Sequence, residues 1–152
     1  MTSRDLPTTS LWMRLLRGGV SLTPFDEFLL RSLVRHVPSE IASTIRHQWR
    51  GLNLIQRDPE WLELRFYRLV RGRVDRSELP RLPVRDGEVK LLSIALCPPE
   101  EVDRLHVNFW AVDRQFFNLN ANRSIRAFRD HSDMAVETVE HCYRSNLVRS
   151  GA

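Results

Sequence analysis

Two periodicities divide the chain. From residue 23 to about residue 50 the apolar positions repeat at helical spacing, and beyond residue 52 they mostly alternate. Phe25, Phe28, Leu29, Ser32, Leu33 and His36 form one stripe at 3.6-residue spacing, widened by Leu30, Val34 and Val37. Thr23 suits the N-cap, Pro24 the first helical position, and Asp26 and Glu27 the positive end of the dipole. Pro38 stops this helix, because the residue before a proline avoids the α region. Ser39 is then expected to cap a second helix running to about Arg50, with Ile41, Ile45, Gln48 and Trp49 as its apolar edge and Gly51 as its C′ residue. Residues 1–22 read as an N-terminal arm, loose over its first ten residues. Within it, Leu11 to Arg17 predicts a helical turn or a short edge strand, stopped by Gly18-Gly19. Residues 23–148 read as one domain.

The alternating part predicts a sheet. Residues 52–57 form a short strand, Asp58-Pro59-Glu60 a turn, and residues 61–70 a second strand with Leu62, Leu64 and Phe66 on one face and Trp61, Glu63, Arg65 and Tyr67 on the other. Residues 71–87, with two glycines and two prolines, read as a long loop. Residues 88–97 read as a strand, whose near-continuous apolarity from Leu91 to Cys97 marks it as central and buried on both faces. Residues 104–128 hold the densest run of β-formers and fit together as a hairpin. A three-residue loop, Asp113-Arg114-Gln115, sets Ala111 against Phe117, Phe109 against Leu119 and Val107 against Ala121, making one face wholly apolar. A two-residue turn at Asp113-Arg114 instead mixes the faces, and it lacks the glycine or asparagine wanted at positive φ. In the three-residue register the other face pairs Trp110 with Asn118 and Asn108 with Asn120. Residues 124–128 are expected to return as a short strand. Residues 132–148 fit a helix through Ala135, Val139, Cys142 and Tyr143, but their β-branched residues favour an edge strand or irregular segment closing the sheet. The fold class that follows is α+β: an N-terminal helix pair packed on a mainly antiparallel sheet of about five or six strands.

Composition narrows the function classes. The chain has 152 residues, 42% hydrophobic and 28% charged, as in ordinary globular domains. No apolar run approaches the roughly 18 residues of a membrane span, so no membrane partner is expected. The apolar patch at residues 11–16 is short for a secretory signal and is interrupted by Arg14, which points to the cytoplasm. The net charge of +4 is carried almost wholly by arginine, Lys90 being the one lysine. Its surplus falls in residues 1–57 and 104–152, while 58–103 carry more acid than base.

Motifs for chemistry are sparse. The five histidines show no metal-ligand spacing, and Cys97 and Cys142 have no cysteine at CxxC distance, so no metal or cofactor is expected and free thiols are. A cysteine nucleophile requires a base, and Cys142 with His106 or His131 is the one combination to weigh. Glycine-rich phosphate loops are absent from the sequence. The helix pair resembles a helix-turn-helix loosely, with Thr44, Arg46, His47 and Arg50 on the second helix. Arg65, Arg68, Arg71, Arg73, Arg76, Arg81 and Arg85, near Trp61, Phe66 and Tyr67, suit contact with an RNA or DNA backbone, but Asp75, Glu78, Asp86 and Glu88 interrupt them. Nucleic acid is therefore the alternative partner and not the expected one.

Taken in order, a helix pair, QRDPEWLELRFYR, a loop ending PVRDGEVKLL and LHVNFWAVDRQFFNLNANRSIRAF resemble immunity proteins of bacterial polymorphic-toxin and contact-dependent growth inhibition systems. The resemblance spans roughly residues 23–147 and is carried by the strand, turn, double-Phe and strand element. Arg114 departs from it, standing where such turns often carry glycine. The resemblance implies a non-enzymatic inhibitor that binds the C-terminal domain of a cognate toxin, blocking its active site or substrate access. The expected contact residues are Asn108, Trp110, Asn118 and Asn120 on the polar hairpin face, with Asp58, Glu60 and Trp61 in the first turn. The acidic turn Glu100, Glu101 and Asp103 completes the set. Inhibitors of nuclease toxins are often acidic, so a basic chain implies either a local acidic patch or a toxin of another kind.

Overall fold

The computed structural model describes residues 5–149. Three helices, α1 (Leu11–Arg17), α2 (Pro24–His36) and α3 (Ser39–Gly51), precede the strands β1 (Leu54–Arg57), β2 (Glu63–Tyr67), β3 (Leu69–Val70) and β4 (Arg73–Val74). Then come β5 (Glu88–Cys97), β6 (Leu105–Val112), β7 (Gln115–Ala121) and β8 (Ala135–Glu140). Six strands form one antiparallel sheet in the order β1-β2-β7-β6-β5-β8, and β3 and β4 make a separate small hairpin. The α+β class and the helix pair on an antiparallel sheet are as the periodicities predict.

The capping box at α2 is complete. Asp26 N donates to Thr23 Oγ1 at 3.2 Å, and Thr23 N donates to Asp26 Oδ2 at 2.8 Å. Asp26 is fully buried, however, and also pairs with the buried guanidinium of Arg57 on β1, tying the helix start to the sheet. α3 begins one residue earlier than its expected cap allows: Ser39 is its first residue, and Pro38 precedes it without a side-chain cap. Gly51 ends the helix instead of following it, and its bare Cα admits Leu79, whose Cδ2 lies 2.5 Å from where a Cβ stands. Both helices lie on one face of the sheet, where Trp49 meets Phe116 edge-on at 5.8 Å and Phe25 meets Phe128.

The central hairpin corrects the expected loop. β6 and β7 are joined by a two-residue turn, with Asp113 at φ 47° and Arg114 at φ 68°, the double positive φ of a type I′ turn. Val112 pairs with Gln115 and Ala111 with Phe116. A bulge between Trp110 and Ala111 then restores Trp110 to Asn118, Phe109 to Leu119, Asn108 to Asn120 and Val107 to Ala121. Both registers weighed from the sequence are thus half right. The bulge supplies the one-residue slip between them, and it exchanges the two phenylalanines. Phe116 is fully buried under α3, while Phe117 lies half-buried on the opposite face beside Tyr67.

Other expectations also shift. Residues 61–70 split into β2 and β3 at Arg68, because β3 folds back on β4 across Arg71-Gly72, where both residues have positive φ. Residues 124–128 form a 3-10 turn, Arg126–Phe128, instead of a strand, and deliver Phe128 to the core. β5 pairs with β6 on one side and β8 on the other, so the tail does close the sheet as an edge strand. The arm is not loose over its described part. Leu6 is buried, Thr9 Oγ1 accepts from Ile55 N at 2.7 Å, and α1 is a helix ended by Gly18 in the left-handed region. Residues 1–4 lie outside the described residues.

Candidate functional site

With α2 and α3 on one face, the other face of the sheet is left open. The alternation of β6 sends Leu105, Val107, Phe109 and Ala111 into the core and His106, Asn108 and Trp110 to the open side. From β7 the same face receives Asn118 and Asn120, and from β2 it receives Glu63, Arg65 and Tyr67, since β2 pairs with β7 through Glu63 to Asn120 and Arg65 to Asn118. β5 adds Lys90 and Ser93, paired with Trp110 and Asn108.

These side chains form two hydrogen-bonded groups side by side in one polar layer. Ser93 Oγ donates to Asn108 Oδ1 at 2.8 Å, Asn108 Nδ2 to Asn120 Oδ1 at 3.2 Å, and Asn118 Nδ2 to Glu63 Oε1 at 2.6 Å. Arg65 closes the row with a 2.7 Å bond to Glu63 Oε2, and this bond raises the Arg65 pKa above the ordinary guanidinium value. The Lys90 ammonium sits 5.2 Å above the Trp110 ring, while the Trp110 indole Nε1 is covered and makes no hydrogen bond. Between them runs a shallow groove of about 400 Å³, lined by Glu63, Arg65, Tyr67, Glu88, Trp110, Val112, Phe117, Asn118 and Asn120. A second hollow of about 380 Å³ shares Tyr67, Val112 and Phe117 with it and adds Arg76 and Arg81. Arg76 has no ion-pair partner among the described residues. It donates to the Phe116 carbonyl and lies over the Phe117 ring, and burial pushes its pKa down to about 10.

Three of the four expected hairpin residues, Trp110, Asn118 and Asn120, line the groove, and Asn108 extends the same amide row. The other six lie at one end of the sheet. There the β1–β2 turn and the β5–β6 turn are bridged by the segment after β7: Ile125 N donates to Trp61 O at 3.0 Å, and Arg123 pairs with Glu101 at 2.6 Å. Asp58 is occupied by its own turn, accepting from Leu62 N at 2.8 Å, Glu63 N at 2.6 Å and Glu60 N at 3.2 Å. Trp61 packs against the core under the Arg57 guanidinium, 4.0 Å from its centroid. Glu60, Glu100, Glu101 and Asp103 are exposed, so the acidic turn is accessible but sits apart from the groove lining.

The groove residues outside the expected toxin-contact set are Glu63, Arg65, Tyr67, Glu88, Val112 and Phe117, of which Arg65 and Tyr67 are candidates from the sequence for nucleic acid alone. The first three do alternate opposite Leu64 and Phe66, but only the pairing of β2 with β7 sets them beside Trp110 and the asparagines.

The arginines proposed for nucleic acid divide. Arg68 bonds Glu78 at 2.9 Å and the Asp75 carbonyl, and Arg85 bonds Asn146 and two backbone carbonyls. Arg65 and Arg76 are engaged as above, leaving Arg71, Arg73 and Arg81 exposed. On α3, Arg50 pairs with Asp5 at 3.1 Å, and Ile41, Ala42, Ile45, Gln48 and Trp49 are buried. Among the described residues no three His, Cys, Asp or Glu side chains gather to hold a metal. Cys97 and Cys142 are free thiols, and burial raises the Cys142 pKa, opposite to what a thiolate nucleophile requires. No helix among the described residues is long and apolar enough to cross a membrane. The chain matches no family model, no curated protein and no solved structure.

Proposed function

We propose that this chain is a non-enzymatic immunity protein that captures the C-terminal domain of a cognate toxin on the open face of its sheet. The observation that carries this reading is the groove across β2, β7 and β6. An aromatic triad, Tyr67, Trp110 and Phe117, is set there among amides and charges, and the residues that line the groove all belong to strands of the sheet. Protein interfaces draw most of their energy from a few such aromatic and arginine anchors, while surrounding polar groups set orientation and exclude wrong partners. Hydrogen bonds among Ser93, Asn108 and Asn120, and among Asn118, Glu63 and Arg65, hold the polar side chains in place before a partner arrives, which lowers the ordering cost of association.

Electrostatics suits a mixed-charge partner. The groove carries Glu63 and Glu88 beside Arg65, with Arg76 and Arg81 in the adjoining hollow, so neither sign dominates. This favours a toxin surface other than a phosphate-binding cleft. If the exposed Glu100, Glu101 and Asp103 contribute, they do so as a separate acidic rim.

This reading expects a large toxin protein to be encoded immediately upstream, and the test is co-expression with the C-terminal domain of that protein, scored by cell survival and by co-purification. Wild type protects and co-purifies; Trp110→Ala, which leaves the core untouched, weakens both by at least tenfold. Failure of the wild type to bind or to protect overturns the reading. Retention on RNA or heparin that falls steeply with salt, without toxin binding, transfers the role to the exposed arginines at residues 71, 73 and 81.

A further inference from the structure

α1 is an amphipathic helix turned inside out. At 3.6 residues per turn, Leu11, Leu15, Trp12 and Leu16 fall within an arc of about 140°. All four face solvent, with exposures of 60%, 69%, 72% and 73%. The opposite arc holds the arginines, and it is this arc that docks. Arg14 Nη1 donates to Ser21 Oγ at 2.8 Å, Arg17 Nη2 donates to the Gly72 carbonyl at 3.2 Å, and Gln56 Nε2 donates to the Arg17 carbonyl at 3.3 Å. None of its residues is buried.

The orientation is enforced from both ends. Thr9, before the helix, accepts from Ile55 N at 2.7 Å, and Val20, after it, donates to Ile55 O at 2.9 Å. Both feet of the excursion therefore stand on one residue of the edge strand β1. At Gly19 a Cβ has no room, with Thr9 Cγ2 at 2.6 Å and Leu54 Cδ1 at 2.8 Å. Ser10 and the left-handed Gly18 cap the two ends of the helix. Beside it stands the β3–β4 tip, joined to it by the Arg17–Gly72 bond, where Val70 and Val74 are also exposed and flank the exposed Arg71 and Arg73.

We propose that α1 and the β3–β4 tip together form a contact site for an anionic lipid surface. An in-plane helix with leucine and tryptophan on one face and arginine on the other is the arrangement that inserts shallowly at the headgroup boundary. Tryptophan prefers that depth. Neither α1 nor residues 69–74 contain an acidic side chain, whereas Arg14, Arg17, Arg71 and Arg73 border the patch. A second copy docked face to face about a two-fold axis brings these like charges together. The apolar arc also exposes on the order of 500 Å², near the top of the range for one patch on a monomer and short of the roughly 800 Å² per side of a stable protein interface. The site is peripheral, and it does not depend on what the open sheet face binds.

The full chain is floated with vesicles of phosphatidylcholine alone and of phosphatidylcholine mixed with phosphatidylglycerol. Binding is expected to the anionic vesicles only. It should fall at least tenfold at high salt or in Arg71→Glu/Arg73→Glu, and vanish in Leu15→Glu/Leu16→Glu. Those leucines make no core contact, so the double variant should melt with the wild type, and toxin capture, where it occurs, should be unchanged. Absence of the wild type from floated anionic vesicles, equal binding to both compositions, or full binding by Leu15→Glu/Leu16→Glu overturns the proposal. So does a dimer in sedimentation that the same double variant dissolves, which assigns the face to a second copy.

Discussion

Gln48 is where the helix layer and the central hairpin are locked together, and replacing it tests how the bulge is held. The side chain is fully buried. Its Oε1 accepts from Phe116 N at 2.9 Å, and its Nε2 donates to the Pro80 carbonyl at 2.6 Å and to the Arg114 carbonyl at 3.3 Å. Thus one amide on α3 serves the bulged strand, the type I′ turn and the long loop before β5. Gln48→Met keeps the length and most of the volume but removes all three bonds. Arg114 O retains the Leu82 amide at 2.7 Å, so two groups, Phe116 N–H and Pro80 O, are left without these partners. At about 1–3 kcal/mol for each unsatisfied buried group, the expected loss is about 3 kcal/mol. For a domain of this size that corresponds to a fall in Tm of roughly 6–12 °C, or about 1.5 M in urea midpoint at a slope of about 2 kcal/mol/M. Urea denaturation followed by circular dichroism measures the total, and amide exchange at Phe116 reports the local opening. Ser43→Ala, at an exposed position of the same helix, serves as the control. A loss below about 1 kcal/mol in Gln48→Met, with Phe116 still protected, refutes the idea that this amide holds the bulge.

Other outcomes follow from the same geometry. Phe109→Ala and Trp110→Ala should separate stability from binding: the first empties a fully buried site and costs about 3–5 kcal/mol, while the second leaves the melting curve within about 1 kcal/mol of wild type. Asp58→Ala removes three bonds that shape the β1–β2 turn and should cost about 2 kcal/mol in denaturant titration, whereas Glu60→Ala in the same turn should be neutral. Arg71→Asn should raise Tm slightly, by the equivalent of about 0.5–1 kcal/mol, because Arg71 sits at φ 51° in a turn that favours Asn-Gly; a fall in Tm contradicts this. The exposed Glu137 is held below the ordinary glutamate range by its 2.5 Å bond to Arg104. Its stabilisation is therefore present above the unfolded-state pKa and lost as pH falls through the depressed folded one. Wild type and Glu137→Gln should differ in urea midpoint at neutral pH and converge in acid; a constant difference across that range counts against the pair.

Sequence alone determined the elements whose signals are local. Thr23-Pro24 and the 3.6-residue stripe mark α2, the near-continuous apolar run marks β5, and strict alternation on β6 separates Phe109 from Trp110, because each pattern repeats within a few residues and needs no distant partner. The outer register of the hairpin was legible for the same reason, since a slip inverts every side chain. The exchange of Phe116 and Phe117 was not legible. A bulge is one extra residue, invisible to a period-two pattern, and here Phe116 N is satisfied by Gln48, 68 positions away. Strand order was decided by tertiary structure as well, and with it the groove: Glu63, Arg65 and Tyr67 become neighbours of Trp110 only because β2 lies beside β7. At α1 the tertiary structure reversed the local signal, as hydrogen bonds from its arginines and the anchors on Ile55 hold the apolar arc outward. Periodicity says which residues share a face, and long-range hydrogen bonds decide where that face points.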